Sequence, residues 1–103
     1  MNISQFKGGW VVGQFEPCLI KSSRLEVGIK FINKGTKGDG HYHMKSDEFT
    51  ILISGSALDK GKIYGPGDII VIKKKEKNFT FFLEDSLIIS MRNNSVPKDK
   101  HYD

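Results

Sequence analysis

The sequence predicts an all-β protein, a small barrel or sandwich. Three observations support this. Short apolar runs alternate with turn-forming residues along the whole chain. The runs recur at roughly 8–12-residue spacing, as in sandwiches and barrels. No stretch carries an amphipathic helical pattern longer than two turns. At 103 residues the chain is expected to form one domain, 1–103, with a single core.

Taken in order, Trp10-Val11-Val12 precedes Gly13 as the first apolar run. In EVGIKFI, Val27, Ile29 and Phe31 occupy every second position, the period of a strand. Gly35 to Gly40 is glycine-rich and reads as a loop. The histidines His41 and His43 follow in an extended segment, and Phe49 to Ile53 is rich in β-formers. Asp59 to Gly61 predicts a hairpin turn leading into Lys62-Ile63-Tyr64. Gly65-Pro66-Gly67-Asp68 is a strong turn that Asp68 holds with its own side chain. Ile69 to Ile72 is β-branched throughout, while Phe79 to Leu83 and Leu87 to Met91 are two strands separated by Glu84-Asp85-Ser86. The strand-bearing core covers about residues 24–92. The closing NNSVPKDKHYD, residues 93–103, is polar and is expected to run over the surface.

Composition narrows the function. The net charge is +4 with a pI of about 9.2, but only Arg24 and Arg92 are arginines, the residue favoured for bidentate phosphate and base recognition. Lys73-Lys74-Lys75-Glu76-Lys77 reads as a solvated turn that guards a sheet edge, and no nucleic-acid partner is expected. No apolar run reaches the ~18 residues of a membrane span, and the N-terminus lacks the pattern of a secretory signal. The single cysteine, Cys18, allows no internal disulfide and no thiolate zinc site, which suggests a reducing cytoplasm. Cys18 itself is expected to be inert. Trp10, Phe81 and Phe82 are expected in the core or at a dimer contact.

The stretch GDGHYHMKSDEFTILISG, residues 38 to 55, carries the chemistry. In an extended segment alternate side chains share a face, so His41 and His43 point the same way, about 7 Å apart by the strand rise. Tyr42 points the other way. A neighbouring strand beginning near Glu48 would bring its carboxylate alongside, with Thr50 and Leu52 on the same face and Phe49, Ile51 and Ile53 on the other. Two imidazoles and a carboxylate suit a divalent transition metal. They also suit acid–base catalysis, since imidazole titrates near neutrality.

Gly35, His41-x-His43, Glu48 and Gly55 stand in the register of the first motif of the cupins, and the chain resembles that family. Gly65-Pro66-Gly67-Asp68 and the following β-branched run resemble the opening of the second cupin motif. The ends, GWVVGQFEP and NSVPKDK, are similar to those of stand-alone cupins linked with surface-sugar metabolism. The resemblance implies a cupin-type β-barrel, a jelly-roll-like double-stranded β-helix, with the site inside its mouth. It implies His41, His43 and Glu48 as ligands of iron, manganese, nickel or zinc. The second-motif histidine falls at Asn78, which would contact the ligand instead, and His101 in the tail is the only other histidine. His41 and His43 are then the catalytic candidates, acting on a small polar molecule of the sugar or keto-acid type. A metal-free nucleotide-sugar isomerase or epimerase is the alternative, and a non-catalytic ligand-binding module a further one. Each form is expected as a homodimer, because an open barrel leaves exposed sheet edges and outward apolar residues such as Phe49, Ile51 and Ile53.

Overall fold

The computed structural model describes residues 1–102; Asp103, the last residue of the predicted tail, lies outside them. Two single 3₁₀ turns, Ile3–Gln5 and Lys7–Gly9, lead into strands β1 (Trp10–Gly13), β2 (Ile20–Lys21), β3 (Glu26–Ile32) and β4 (Glu48–Ser54). After these come β5 (Ala57–Asp59), β6 (Lys62–Tyr64), β7 (Ile69–Ile72), β8 (Phe81–Phe82) and β9 (Ser86–Arg92). A six-stranded sheet in the order β2-β1-β3-β9-β4-β7 faces a three-stranded sheet in the order β6-β5-β8. The all-β barrel expected from the turn spacing is therefore present. β1 and β2 extend the large sheet beyond residues 24–92.

The long central strands show what the alternation does. In β4, Glu48, Thr50 and Leu52 are buried while Ile53 is 47% exposed, as the sequence pattern predicts. In β3 the residues turned inward are Glu26, Gly28, Lys30 and Ile32, and the apolar set Ile29 and Phe31 faces out, Phe31 at 73% exposure. The registers Glu26↔Arg92, Gly28↔Ser90 and Lys30↔Ile88, with Glu48↔Arg92, Thr50↔Ser90 and Leu52↔Ile88, align these inner residues in rows. The barrel lining thus changes along its axis from apolar (Leu52 and Ile88, with Lys30 in the same row) through small and hydroxylic (Gly28, Thr50, Ser90) to charged (Glu26, Glu48, Arg92).

The apolar end is the core. Leu52, Ala57, Ile70, Ile72, Phe82 and Ile88 form one buried cluster, with Ile32 and Tyr64 packed against it. Full burial of Leu52 and Ile70 stabilises the fold by about 1.5–3 kcal/mol each. The small sheet closes over this end through the β5–β6 hairpin, whose turn residues Lys60 and Gly61 have φ of 50° and 78°. Paired left-handed residues match the strand twist, which suits glycine at the second position.

Three local features differ from the sequence pattern. His41 to His43 is extended but is not a regular strand; only Tyr42 forms a bridge, antiparallel to His101. Its hydrogen-bond partners change from residue to residue, so no ladder propagates. Phe79 to Leu83 shortens to β8, because the Asn78 side-chain oxygen accepts from Thr80 N at 3.0 Å and turns the chain before the strand begins. The segment after Asn93 is not merely a surface run: Ser95 and Asp99 are 3% and 5% exposed.

Candidate metal centre

The charged end of the barrel holds the cluster. His41, His43 and Glu48 each offer one ligand atom, and these atoms all lie within 4.8 Å of one another. The two imidazole rings meet edge to face with centroids 5.2 Å apart, so both histidines point inward as predicted. Tyr42, between them, turns away and stacks on His101 at 5.5 Å. His101 is thereby outside the cluster.

The HYH segment is pinned from two sides. Towards β8, Gly38 N donates to Thr80 O, Gly40 N to Asn78 O, and Asn78 N to His41 O, each at 2.8 Å. On the other side Lys75 N donates to His43 O at 2.7 Å, from within the basic turn. The C-terminal segment completes the clamp. Tyr42 and His101 exchange backbone hydrogen bonds of 2.9 and 3.0 Å. The buried Asp99 carboxylate accepts from Met44 N at 3.1 Å and Lys45 N at 3.0 Å. Burial pushes the Asp99 carboxyl up, but these amides and His101 outweigh it and hold it below the usual range.

Tautomers follow from the acceptors. His43 Nδ1 lies 2.7 Å from the Asp99 main-chain oxygen, which can only accept, so Nδ1 carries the proton and Nε2 presents a lone pair. Arg92 Nη1 lies 3.3 Å from the same Nδ1. Two donors cannot bond each other, so that contact is a repulsive approach. Burial first, and then Arg92, lower the His43 pKa from 6.5, leaving the ring neutral at pH 7. His41 Nδ1 lies 2.6 Å from Asp39 Oδ1. That hydrogen bond is the main reason the Asp39 carboxyl is held down at about 2. Asp39 in turn fixes the His41 ring and aims Nε2 away from itself, as carboxylates behind metal-bound histidines do.

Glu48 provides the test of fit. Its Oε1 is 3.4 Å from Ser90 Oγ, while Oε2 is buried with no hydrogen-bond partner among the described residues. Oε2 faces His43 Nε2 at 3.8 Å, too far for a hydrogen bond and, with the ring neutral, not an ion pair. Two donors each about 2.0–2.2 Å from a common cation span such a gap. An orphaned carboxylate oxygen opposite an imidazole lone pair is a donor set that fits a divalent ion. Asn78 lines the same cavity of about 370 Å³, at the position expected from the second motif, but its side-chain oxygen is already engaged by Thr80 N.

Sequence reading missed four residues here: Asp39, Lys30, Arg92 and Asp99. Lys30 was open to detection, since it shares strand parity with Glu26 and Gly28. Arg92 is tied to Glu26 by a 2.8 Å ion pair, which Ser95 Oγ supports by donating to Glu26 at 2.8 Å. No local signal marks Asp99, because its partners are distant in sequence.

No family model matches the chain, and no curated protein is similar to it in sequence. Solved structures are similar in fold. KdgF from Halomonas is 22% identical over 74% of this chain and 74% of its own, with a TM-score of 0.65. The DMSP lyase DddQ from Ruegeria pomeroyi is 15% identical over 90% of this chain, with a TM-score of 0.73. This chain spans only about half the length of that lyase (49%). The nucleoside dehydratase Pac13 from Streptomyces, described as a β-barrel, is 11% identical over 80% of this chain and 70% of its own, with a TM-score of 0.69. At these identities the likeness concerns the fold alone, and together with the sheet order it shows that the chain is a small β-barrel of the cupin, or double-stranded β-helix, fold.

Proposed function

We propose that His41, His43 and Glu48 hold a divalent first-row transition metal (iron, manganese, nickel or zinc) and that the cavity around it binds a small polar molecule of the sugar or keto-acid type. The observation that carries this reading is the unpartnered Glu48 Oε2 facing the His43 Nε2 lone pair across 3.8 Å. His43 would coordinate through Nε2 because Asp99 holds its other nitrogen protonated, and His41 likewise because Asp39 engages Nδ1. A bound ion would polarise a carbonyl or hydroxyl oxygen of the ligand. Asn78 and Thr80 border the cavity as polar contacts. The test is metal content of tag-free protein: close to one equivalent per chain is expected, falling at least tenfold in Glu48→Ala and His43→Ala. Wild type without metal after exposure to micromolar iron, manganese, nickel, cobalt and zinc would exclude the metal.

A second reading has its own support. The cupin resemblance puts the fourth-ligand position at Asn78, whose oxygen is engaged within its own turn, and Arg92 approaches His43 closely. Without metal, the His41 Nε2 lone pair backed by Asp39 is a candidate base. Lyase and dehydratase, the activities named for two of the similar folds, both remove a proton as a leaving group departs. A metal-free isomerase, epimerase or eliminase would keep its activity in chelator and lose it in His41→Ala. Retention of a ligand without turnover would favour a binding module. The single free cysteine supports a reducing, cytoplasmic setting for any of these.

A further inference from the structure

Trp10 opens a second question about the same cavity. Gly28, on the inner face of β3, has no side chain, and a Cβ there would come within 2.8 Å of the indole. The ring therefore lies flat across the strand. Lys30 Nζ sits 4.2 Å from the Trp10 ring centroid and the Arg92 guanidinium carbon 4.8 Å from it, so one indole carries two cations. Their circumstances differ. Arg92 has Glu26 as its partner at 2.8 Å. Among the described residues no ion pair involves Lys30, which feels Glu48 and Glu26 only at longer range. Both cations border the cavity of His41, His43 and Glu48, where four basic side chains (Lys30, Lys37, Arg92, Lys100) meet two acidic ones (Asp39, Glu48).

We infer that the ligand of this cavity is a carboxylate, its anionic group received by Lys30 on the Trp10 platform with Arg92 as the fixed charge behind, and its adjacent carbonyl or hydroxyl turned towards His41, His43 and Glu48. The inference rests on the reading of the cavity as a ligand site and assigns the charge of what enters. Lys30 is half-buried, and an ammonium partly removed from water without a counter-ion is stabilised when an anion completes it. Burial and Arg92 hold the Lys30 pKa below its ordinary 10.5, as expected of a cation awaiting its partner. Arg92 is paired with Glu26 and Lys100 lies 3.8 Å from Asp39, so Lys30 and Lys37 stand against Glu48 alone, and the balance of one positive charge in the protein matches a monoanion. A phosphate dianion would place excess negative charge beside Glu48.

The test compares matched probes by calorimetric titration: pyruvate against hydroxyacetone, D-gluconate against D-glucitol, and inorganic phosphate. The carboxylates are expected to bind at least tenfold more tightly than their neutral counterparts and than phosphate. That preference disappears in Lys30→Met and persists in Lys30→Arg, while metal uptake is unchanged in both. Equal binding of acid and neutral probe, a preference that survives Lys30→Met, phosphate binding as well as the carboxylates, or no binding of any probe would overturn the assignment. Loss of metal uptake in Glu48→Ala is read separately, so the metal reading can stand where the carboxylate fails, and the reverse.

Discussion

The proton on His43 is set by a main-chain oxygen. Because the Asp99 carbonyl can only accept, His43 Nδ1 donates to it and Nε2 remains a ligand or base. The same burial and the nearby Arg92 that hold its pKa below 6.5 carry a sign for stability. The unfolded chain binds a proton to this imidazole more readily than the folded chain does, so the contribution is complete above pH 6.5. It is lost as pH falls from there towards the lower folded value. In metal-free protein, the urea midpoint should fall on acidification through this window, and His43→Gln should flatten that part of the profile. An unchanged slope in the variant would show that His43 is not held neutral. At this scale the sequence was most informative about identity: His41, His43 and Glu48 could be named from spacing alone. Arg92 could not, and Lys30 only as a member of the Glu26 and Gly28 set, because alternation shows that two sets face apart without showing which set faces in.

The elements that build the site are those with the least regular structure. β3, β4 and β9 were legible because long alternating runs have one low-energy arrangement in a sheet. The irregular hydrogen bonding of the HYH segment and the burial of the residues after Asn93 were not, since their partners are distant in sequence. Asp99 joins them with its carboxylate on Met44 N and Lys45 N and its carbonyl on His43. Asp99→Ala removes the first two bonds and leaves two amides without their acceptor, a cost of roughly 2–3 kcal/mol. It should lower the thermal midpoint and weaken metal binding several-fold with every ligand still present. Asp99→Asn, which retains one acceptor oxygen, should recover part of both. Full metal affinity in Asp99→Ala would mean that the segment covers the site without positioning it.

Across the whole molecule, polarity is divided in an unusual way. The barrel interior turns charged at one end, while the outer face of the large sheet stays apolar: Phe31, Ile53, Ile69 and Val71 are 73%, 47%, 51% and 43% exposed, on strands β3, β4 and β7. Monomers rarely expose a contiguous apolar face of this kind, and an isologous pair of copies would cover it. Sedimentation at tens of micromolar should give a dimer, with Phe31→Lys and Ile53→Lys together shifting it to monomer while metal binding persists; a wild-type monomer would contradict the pairing. The expectation of outward apolar residues followed from the strand parity of Glu48, and that parity also brings the carboxylate to the two histidines. The most direct measurement is anomalous diffraction from crystals grown with cobalt or zinc. One strong peak between His41 Nε2, His43 Nε2 and Glu48 Oε2 is predicted. Absence of a peak there, with the same ion bound elsewhere or not at all, would contradict the account.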